Sequence, residues 1–261
     1  MSRTGAQYFF ENSARSVLGL IREGNEDSGF ISGKLIAVAD GMGGHAGGEV
    51  ASRIAIKTLA SLAPMLSSSD IDSDSIEDLL QNSLHTIDSE IGEHAREAIE
   101  VRGMGTTLTA LLIYGDKVAL LHVGDSRAYR LRGNDLEQLS CDHTVIQELL
   151  DQGAITPADV HDHPQRSVLT QALMGEGNVT PVLQIYEINE GDRFILCSDG
   201  LSNVLTDKEM KSLLKKNSAE DSITALIDAT YINGAPDNVS IVIADVVTTN
   251  SSSQSFIGAA S

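Results

Sequence analysis

The sequence of 261 residues contains no tryptophan, and aromatic residues make up only 4% of it. A folded core must therefore consist mainly of leucine, isoleucine, valine and alanine side chains. Basic residues are also scarce: 18 lysines and arginines stand against 37 aspartates and glutamates, which gives a formal net charge of −19. Nucleic acids and anionic membranes bind basic surfaces. We therefore expect neither as a partner, and the excess of carboxylates fits a protein that binds cations.

Cysteines and long hydrophobic runs are scarce as well. Only Cys141 and Cys197 occur, and two thiols without a secretory signal indicate a reducing compartment. No apolar stretch approaches a length of about 20 residues, which a helix needs to cross a bilayer. The N-terminus also lacks the apolar segment of a signal peptide. We therefore expect a cytoplasmic chain without a membrane span, and we expect it to be a monomer.

The clearest feature that is present is an apolar run that ends in an acid and a glycine-rich turn. Residues 34–39 lead to Asp40, and Gly41 is followed by two further glycines within three positions. A short apolar run bounded by a turn signal predicts a buried strand, so Asp40 would lie at the edge of a sheet. Asp-Gly alone is an ordinary turn dipeptide, and its meaning depends on whether the arrangement recurs.

The hydrophobic pattern predicts an α+β protein. We interpret residues 1–14 as irregular. The remaining predicted strands lie at residues 16–21, 106–114, 117–123, 127–132, 182–188, 193–197 and 239–247. Apolar residues that recur at spacings of three and four predict helices at residues 48–65, 75–99, 206–216 and 219–231. Residues 106–132 are interpreted as a three-stranded antiparallel meander, because their links are short. Helices of this length must cover sheet faces, so we predict two packed, mainly antiparallel sheets with helix pairs outside.

The arrangement of a strand followed by an acid recurs three times. Asp125, Asp199 and Asp237, like Asp40, lie at predicted strand ends, each followed by Gly, Ser or Asn. Four carboxylates that converge cannot all ionise without a counter-charge. Oxygen-only ligands favour Mg²⁺, Mn²⁺ or Ca²⁺ over zinc or copper. Arg22 adds a guanidinium whose shape suits a phosphate. Two ions that share one acid would generate a hydroxide nucleophile and polarise a phosphoryl group.

Six short segments, in this order, resemble the motifs of the metal-dependent protein phosphatase 2C family. They are residues 22–27 (Arg-Glu-Gly-Asn-Glu-Asp), 40–45 (Asp-Gly-Met-Gly-Gly-His), 105–107 (Gly-Thr-Thr), 123–127 (Val-Gly-Asp-Ser-Arg), 198–201 (Ser-Asp-Gly-Leu) and 237–240 (Asp-Asn-Val-Ser). The resemblance covers about residues 13–247 and is closest to the bacterial serine/threonine phosphatases that oppose Hanks-type kinases. It implies a four-layer α-β-β-α sandwich and the hydrolysis of phosphoserine and phosphothreonine by a hydroxide that bridges two divalent metals.

The resemblance also implies metal ligands. Asp40 resembles the carboxylate that bridges the two metals, and Gly41 the residue whose carbonyl binds one of them. Asp199 and Asp237 match ligands of the first metal. Asp125, together with Asp199, matches a third and weaker metal site of bacterial members. The implied cofactor is Mn²⁺ or Mg²⁺.

Further residues match positions around the metals. Glu26 and Asp27 match residues that hold metal-bound waters, and Arg22 matches the residue that grips the substrate phosphate. Some eukaryotic relatives carry a histidine, proposed as the general acid, where this chain has Met42. His45, three residues further on, is a candidate for that role.

The resemblance implies a catalytic domain over residues 1–247, with a flap at about residues 141–178 that is linked to substrate choice. Residues 248–261 are interpreted as a flexible Ser-rich tail or the start of a linker, and some relatives carry a membrane helix beyond such a linker. Phosphorylated proteins and a serine/threonine kinase are the implied partners. Two alternatives stay open: a non-catalytic pseudophosphatase that binds or scaffolds, and a specialised phosphatase of an anti-sigma-factor antagonist.

Overall fold

The structure is a computed structural model that describes residues 7–43, 47–66, 73–160, 163–180, 182–215, 218–250 and 253–261. Its strands are β1 (Phe9–Val17), β2 (Asp27–Ile31), β3 (Leu35–Met42), β4 (Gly105–Thr106), β5 (Leu108–Tyr114), β6 (Lys117–Val123), β7 (Arg127–Arg132), β8 (Asp135–Gln138), β9 (Val182–Glu187), β10 (Arg193–Cys197), β11 (Val239–Val247) and β12 (Ser255–Gly258). Its α-helices are α1 (Gly47–Ala60), α2 (Ala63–Leu66), α3 (Ser73–Glu97), α4 (Val145–Asp151), α5 (Asp199–Ser202), α6 (Asp207–Leu213) and α7 (Ala219–Ile232). Two short 3-10 helices cover Ile99–Val101 and Pro157–Asp159.

The strands form two antiparallel sheets. The smaller sheet has the order β1-β11-β10-β7-β8, and the larger has the order β12-β2-β3-β5-β6-β9, with β4 paired to β3. Alternate residues of one strand serve two different cores, since side chains alternate across a strand. In β3, Leu35 packs toward the helices while Ile36 packs toward the other sheet.

Three apolar cores define four layers. One core lies between the larger sheet and helices α1 and α3. A second joins the inner faces of the two sheets, where Phe10 meets Phe194 edge to face. The third lies between the smaller sheet and helices α5 to α7. The prediction of two packed antiparallel sheets flanked by helices is therefore confirmed.

Several sequence predictions about the elements are wrong. Strand β1 starts at Phe9, within the segment interpreted as irregular, because it pairs with β11 along its whole length. The predicted three-stranded meander over residues 106–132 is also wrong. Strand β6 pairs with β5 and β9 in the larger sheet, whereas β7 pairs with β8 and β10 in the smaller one. Residues 124–126 thus connect the two sheets and do not form a hairpin turn.

The interpretation of residues 248–261 as a flexible tail is wrong for their last part. Strand β12 pairs with β2 at the edge of the larger sheet, with Phe256 opposite Phe30. The two rings lie 5.2 Å apart between centroids, and Ala260 is buried against the helix-facing core. Backbone pairing and apolar contacts therefore hold a segment that its composition makes look mobile. In the part of the chain that the structure describes, no helix is long and apolar enough to span a membrane.

Candidate active site

The predicted site residues surround one cavity of about 840 Å³. Its walls include the predicted residues Arg22, Glu26, Asp40, Gly41, Asp125, Asp199 and Asp237. Asp27 is buried next to Asp40 in the neighbouring strand. His45 lies outside the described residues. Side chains from segments that are far apart in the sequence therefore meet in one place, as the recurring acids predicted.

The end of β3 holds Asp40 by its backbone. The amide of Asp40 donates to the Oγ1 of Thr107 at 2.9 Å, and its carbonyl accepts from the Thr107 amide at 2.9 Å and from the Thr106 Oγ1 at 2.9 Å. Thr107 Oγ1 also lies 2.7 Å from the Oγ of Ser126, next to Asp125. These threonines belong to a segment that the family resemblance pointed out without a role. The structure shows that they fix the Asp40 backbone and link it to the Asp125 loop.

Gly41 is a position where no side chain fits. A Cβ built there would lie 2.1 Å from the carbonyl oxygen of Gly48 in the first turn of α1 and 2.6 Å from that of Glu26. The amide of Gly41 donates to that same Glu26 oxygen at 3.2 Å. Helix α1 and the Glu26 loop therefore press directly on the Asp40 turn, which explains the glycine after the acid.

Asp237 is paired with Arg22. The Nη2 of Arg22 donates to the Oδ2 of Asp237 at 2.6 Å, and the arginine side chain is half-exposed. The loop that carries Arg22 depends on Asn238, a residue whose role the sequence reasoning missed. The Nδ2 of Asn238 donates to the carbonyls of Leu18 at 2.9 Å and Gly24 at 3.0 Å, while its Oδ1 accepts from the Glu26 amide at 2.9 Å.

Two further acids occupy distinct environments. Asp199 begins α5 directly after β10, and its Oδ2 accepts from the Nδ2 of Asn203 at 2.9 Å. Asp27 is 1% exposed, and its Oδ2 accepts from the Oγ of Ser198 at 2.8 Å. Its Oδ1 is buried and accepts no hydrogen bond from the residues that the structure describes. Such an orphaned carboxylate oxygen is costly unless a further partner reaches it.

Burial and mutual repulsion raise the pKa values of the acids. Burial, with the charges of Asp27 and Asp199 next, holds the pKa of Asp40 well above its usual range. Burial and then the charge of Asp199 raise the pKa of Asp125 to about 7, and burial raises that of Asp27 to about 7. Burial and then the charge of Asp237 raise the pKa of Asp199. The shifts follow from the geometry, because buried carboxylates around one cavity repel one another when they ionise.

The oxygen ligands at this site suit a hard cation, although the described residues do not already assemble a complete site for one. Every candidate ligand offers oxygen, and the repulsion among the acids is of the kind that a divalent cation relieves. Among the described residues, however, no three His, Cys, Asp or Glu side chains already surround one metal position. Instead, Arg22 neutralises Asp237 and Asn203 caps Asp199.

The structure is an α-β-β-α sandwich whose cavity is lined by acids and by one arginine, Arg22. This combination of fold and site defines the class of the protein. The chain belongs to the protein phosphatase 2C family, since the family described as "Protein phosphatase 2C" matches residues 25–236.

Named relatives are bacterial. The chain is 43% identical over 238 residues to the serine/threonine protein phosphatase PstP of Mycobacterium tuberculosis, covering 90% of this chain and 45% of the relative. It is 34% identical over 237 residues to the serine/threonine phosphatase stp of Listeria welshimeri, covering 88% of this chain and 94% of the relative. It thus spans about half the length of the mycobacterial relative and nearly all of the Listeria one.

Solved structures share the fold. The catalytic domain of PstP in complex with two manganese ions superposes with a TM-score of 0.84 at 40% identity, covering 92% of this chain and 100% of that one. The agreement extends over almost the whole chain, so it includes both sheets and the helices that flank them.

Proposed function

We propose that this chain is a metal-dependent protein serine/threonine phosphatase. The observation that carries the proposal is the meeting of Asp40, Asp125, Asp199 and Asp237 in one cavity with Arg22. The names of the PstP and stp relatives support the same reaction. The structure of PstP with manganese supports the same kind of cofactor.

The acids fit Mn²⁺ or Mg²⁺. Asp40, Asp199 and Asp237 would hold two tightly bound ions together with the carbonyl of Gly41, and the unpartnered Oδ1 of Asp27 would accept from a metal-bound water. Divalent ions, when bound, would lower the pKa of water and neutralise charge on the phosphoryl group. Carboxylates that share a divalent cation no longer repel one another, so the ions would also stabilise the fold.

Other residues would serve around this centre. Glu26 lines the cavity, and it would bind a metal-bound water, like Asp27. Asp125, with Asp199, would hold a third and weaker ion. Binding of ions would free Arg22 from Asp237, and the arginine could then turn its planar donors to the substrate phosphate.

The substrate would be a phosphorylated serine or threonine in a protein. Residues 167–174 of the predicted flap form one wall of the cavity, with Ser167, Leu169, Thr170, Gln171, Ala172 and Met174 facing it. A wall of this kind would contact residues on either side of the phosphorylated one. A serine/threonine kinase that phosphorylates the same proteins would be the opposing partner, and we expect both to act in the cytoplasm.

The test is hydrolysis of p-nitrophenyl phosphate and of a phosphothreonine peptide, each with Mn²⁺ and with EDTA. We expect turnover of both substrates in Mn²⁺ and none in EDTA, with Asp40→Asn inactive under either condition. Full turnover after exhaustive chelation would contradict the proposal. Binding of the phosphopeptide without turnover in Mn²⁺ would instead favour a non-catalytic binding protein, and turnover of one anti-sigma-factor antagonist alone would favour the specialised phosphatase.

A further inference from the structure

The loop of residues 174–177 ends the cavity wall and forms a small anion-binding turn. The amides of Met174 and Gly175 donate to the Oδ1 of Asp88 at 3.0 and 2.7 Å, and the amide of Gly177 donates to its Oδ2 at 2.8 Å. Successive backbone amides that converge on one anion form a nest. Here the anion is the protein's own Asp88 carboxylate, which lies in α3 and is 5% exposed.

The turn requires its glycines and rests directly on the helix. Gly175 and Gly177 have φ values of +77° and +69°, which residues other than glycine rarely adopt. A Cβ at Gly175 would lie 2.2 Å from the Cα of Gly92, four residues after Asp88 in α3. Asp88 and Gly92 are four residues apart and therefore lie on one face of α3, so both contact the turn from the same side.

The turn is continuous with the site. Leu173, just before it, exchanges two backbone hydrogen bonds with Thr106 at 2.9 and 3.0 Å. Thr106 in turn holds the carbonyl of Asp40 through its Oγ1. Residues 167–174 form the flap wall of the cavity, so the position of the turn sets where that wall lies relative to the acids.

We propose that Asp88 is a positioning residue that holds the flap wall, residues 167–174, at the distance from the acids that a peptide substrate needs. This rests on the proposed function, because it concerns the substrate of that same site. Asp88 does not line the cavity. Thr107 holds both the amide and the carbonyl of Asp40, so Asp40 keeps these two hydrogen bonds even if the turn shifts Thr106. Loss of the Asp88 charge should therefore impair a substrate that reaches the flap wall and spare one too small to reach it.

The main variant is Asp88→Asn, which keeps the shape but removes the charge and one acceptor. The matched control is Asp78→Asn, an exposed acid on the same helix. We expect Asp88→Asn to raise KM for a phosphothreonine peptide about tenfold, with kcat and KM for p-nitrophenyl phosphate close to wild type, since displaced binding groups weaken binding of the ground state. Asp78→Asn should leave KM and kcat for both substrates unchanged.

A second variant changes the turn and leaves α3 intact, so it tests the proposal even if Asp88→Asn misfolds that helix. Gly177→Ala strains the turn without touching the helix, and a Cβ there meets nothing within 4 Å. Gly133→Ala, at φ +59° with equally open space in the β7–β8 turn, is its control. Gly177→Ala should reproduce the rise in KM for the peptide, and Gly133→Ala should not. An unchanged KM in both Asp88→Asn and Gly177→Ala would overturn the proposal.

Two further outcomes separate positioning from simple stability. Amide hydrogen exchange at residues 174, 175 and 177 should become faster in Asp88→Asn and stay slow in Asp78→Asn. This readout does not need activity, so it distinguishes a failed clamp from a failed phosphatase assignment. Equal losses on both substrates, together with a lower melting temperature, would assign Asp88 a structural role alone and overturn the proposal.

Discussion

Replacing Asp125 by asparagine should make the metal-free protein more stable and the metal-loaded enzyme less active. Burial of the Asp125 carboxyl, and then the charge of Asp199 beside it, raise the pKa of Asp125 from 3.8 to about 7. An acid whose pKa is higher in the folded than in the unfolded state destabilises the fold at every pH at which the unfolded chain ionises it. Asparagine has nearly the same shape and carries no charge, so the variant avoids that cost.

The size of the effect depends on pH in a defined way. Below about pH 4 the carboxyl is protonated in both states, so the two proteins should be equally stable. Between about pH 4 and pH 7 the unfolded state alone ionises, and the cost of the acid grows by about 1.4 kcal/mol per pH unit. Above about pH 7 it stays constant at an upper limit of about 4 kcal/mol. Since neighbouring acids share the same repulsion, we expect a gain of about 1–3 kcal/mol.

Urea unfolding in EDTA at about pH 5 and pH 8 measures this directly. The control is Asp116→Asn, an exposed acid in the β5–β6 turn, which should change stability at neither pH. In Mn²⁺, turnover of p-nitrophenyl phosphate by Asp125→Asn should fall, because the proposed third ion would lose its ligand while the two proposed tight ions would stay bound. A variant that was less stable than wild type in EDTA at the higher pH would refute the convergence of the acids.

Two further variants test the proposed roles of Arg22 and Asp40, and a third tests an ion pair that the structure shows. Arg22→Ala should raise KM for a phosphothreonine peptide about 10- to 100-fold and lower kcat less, because it removes charge-assisted hydrogen bonds to phosphate; an unchanged KM would exclude the phosphate-gripping role. Asp40→Ala should reduce turnover to background even in excess Mn²⁺, because it removes the carboxylate that we propose is shared by two ions; recovery of turnover in higher Mn²⁺ would contradict this. Asp245→Ala should lower the free energy of unfolding by about 3 kcal/mol, since it removes the carboxylate that accepts two hydrogen bonds from the buried guanidinium of Arg193. Turnover should persist at temperatures well below the melting transition of the variant.

The features that were predictable from the sequence are those with a local signal. The buried strand before Asp40 shows its period and its turn within ten residues, and Asp199 follows another apolar run in the same way. Both acids lie where these patterns placed them. Order and spacing of such segments carry the family resemblance, and they also led to the correct layers.

The features that were missed depend on contacts between distant segments. Strand β1 is polar along much of its length and is held by its pairing with β11, which no local pattern reveals. The link at Asp125 looks like a hairpin turn, and only the packing of two sheets sends β7 to the other one. Asp88 is one acid among many on a helix, and its role appears only when the turn of residues 174–177 lies on it.

Binding of metal ions by the clustered acids can be observed directly by X-ray diffraction at the manganese absorption edge from crystals grown with Mn²⁺. We predict two strong anomalous peaks in the cavity, both in contact with Asp40, with Asp199 and Asp237 as further ligands, and a weaker peak beside Asp125. The Asp40→Asn variant should lose the strong peaks while its fold is preserved. Manganese bound only outside this cavity, or none bound in a well-ordered crystal, would show that the acids do not form a metal centre.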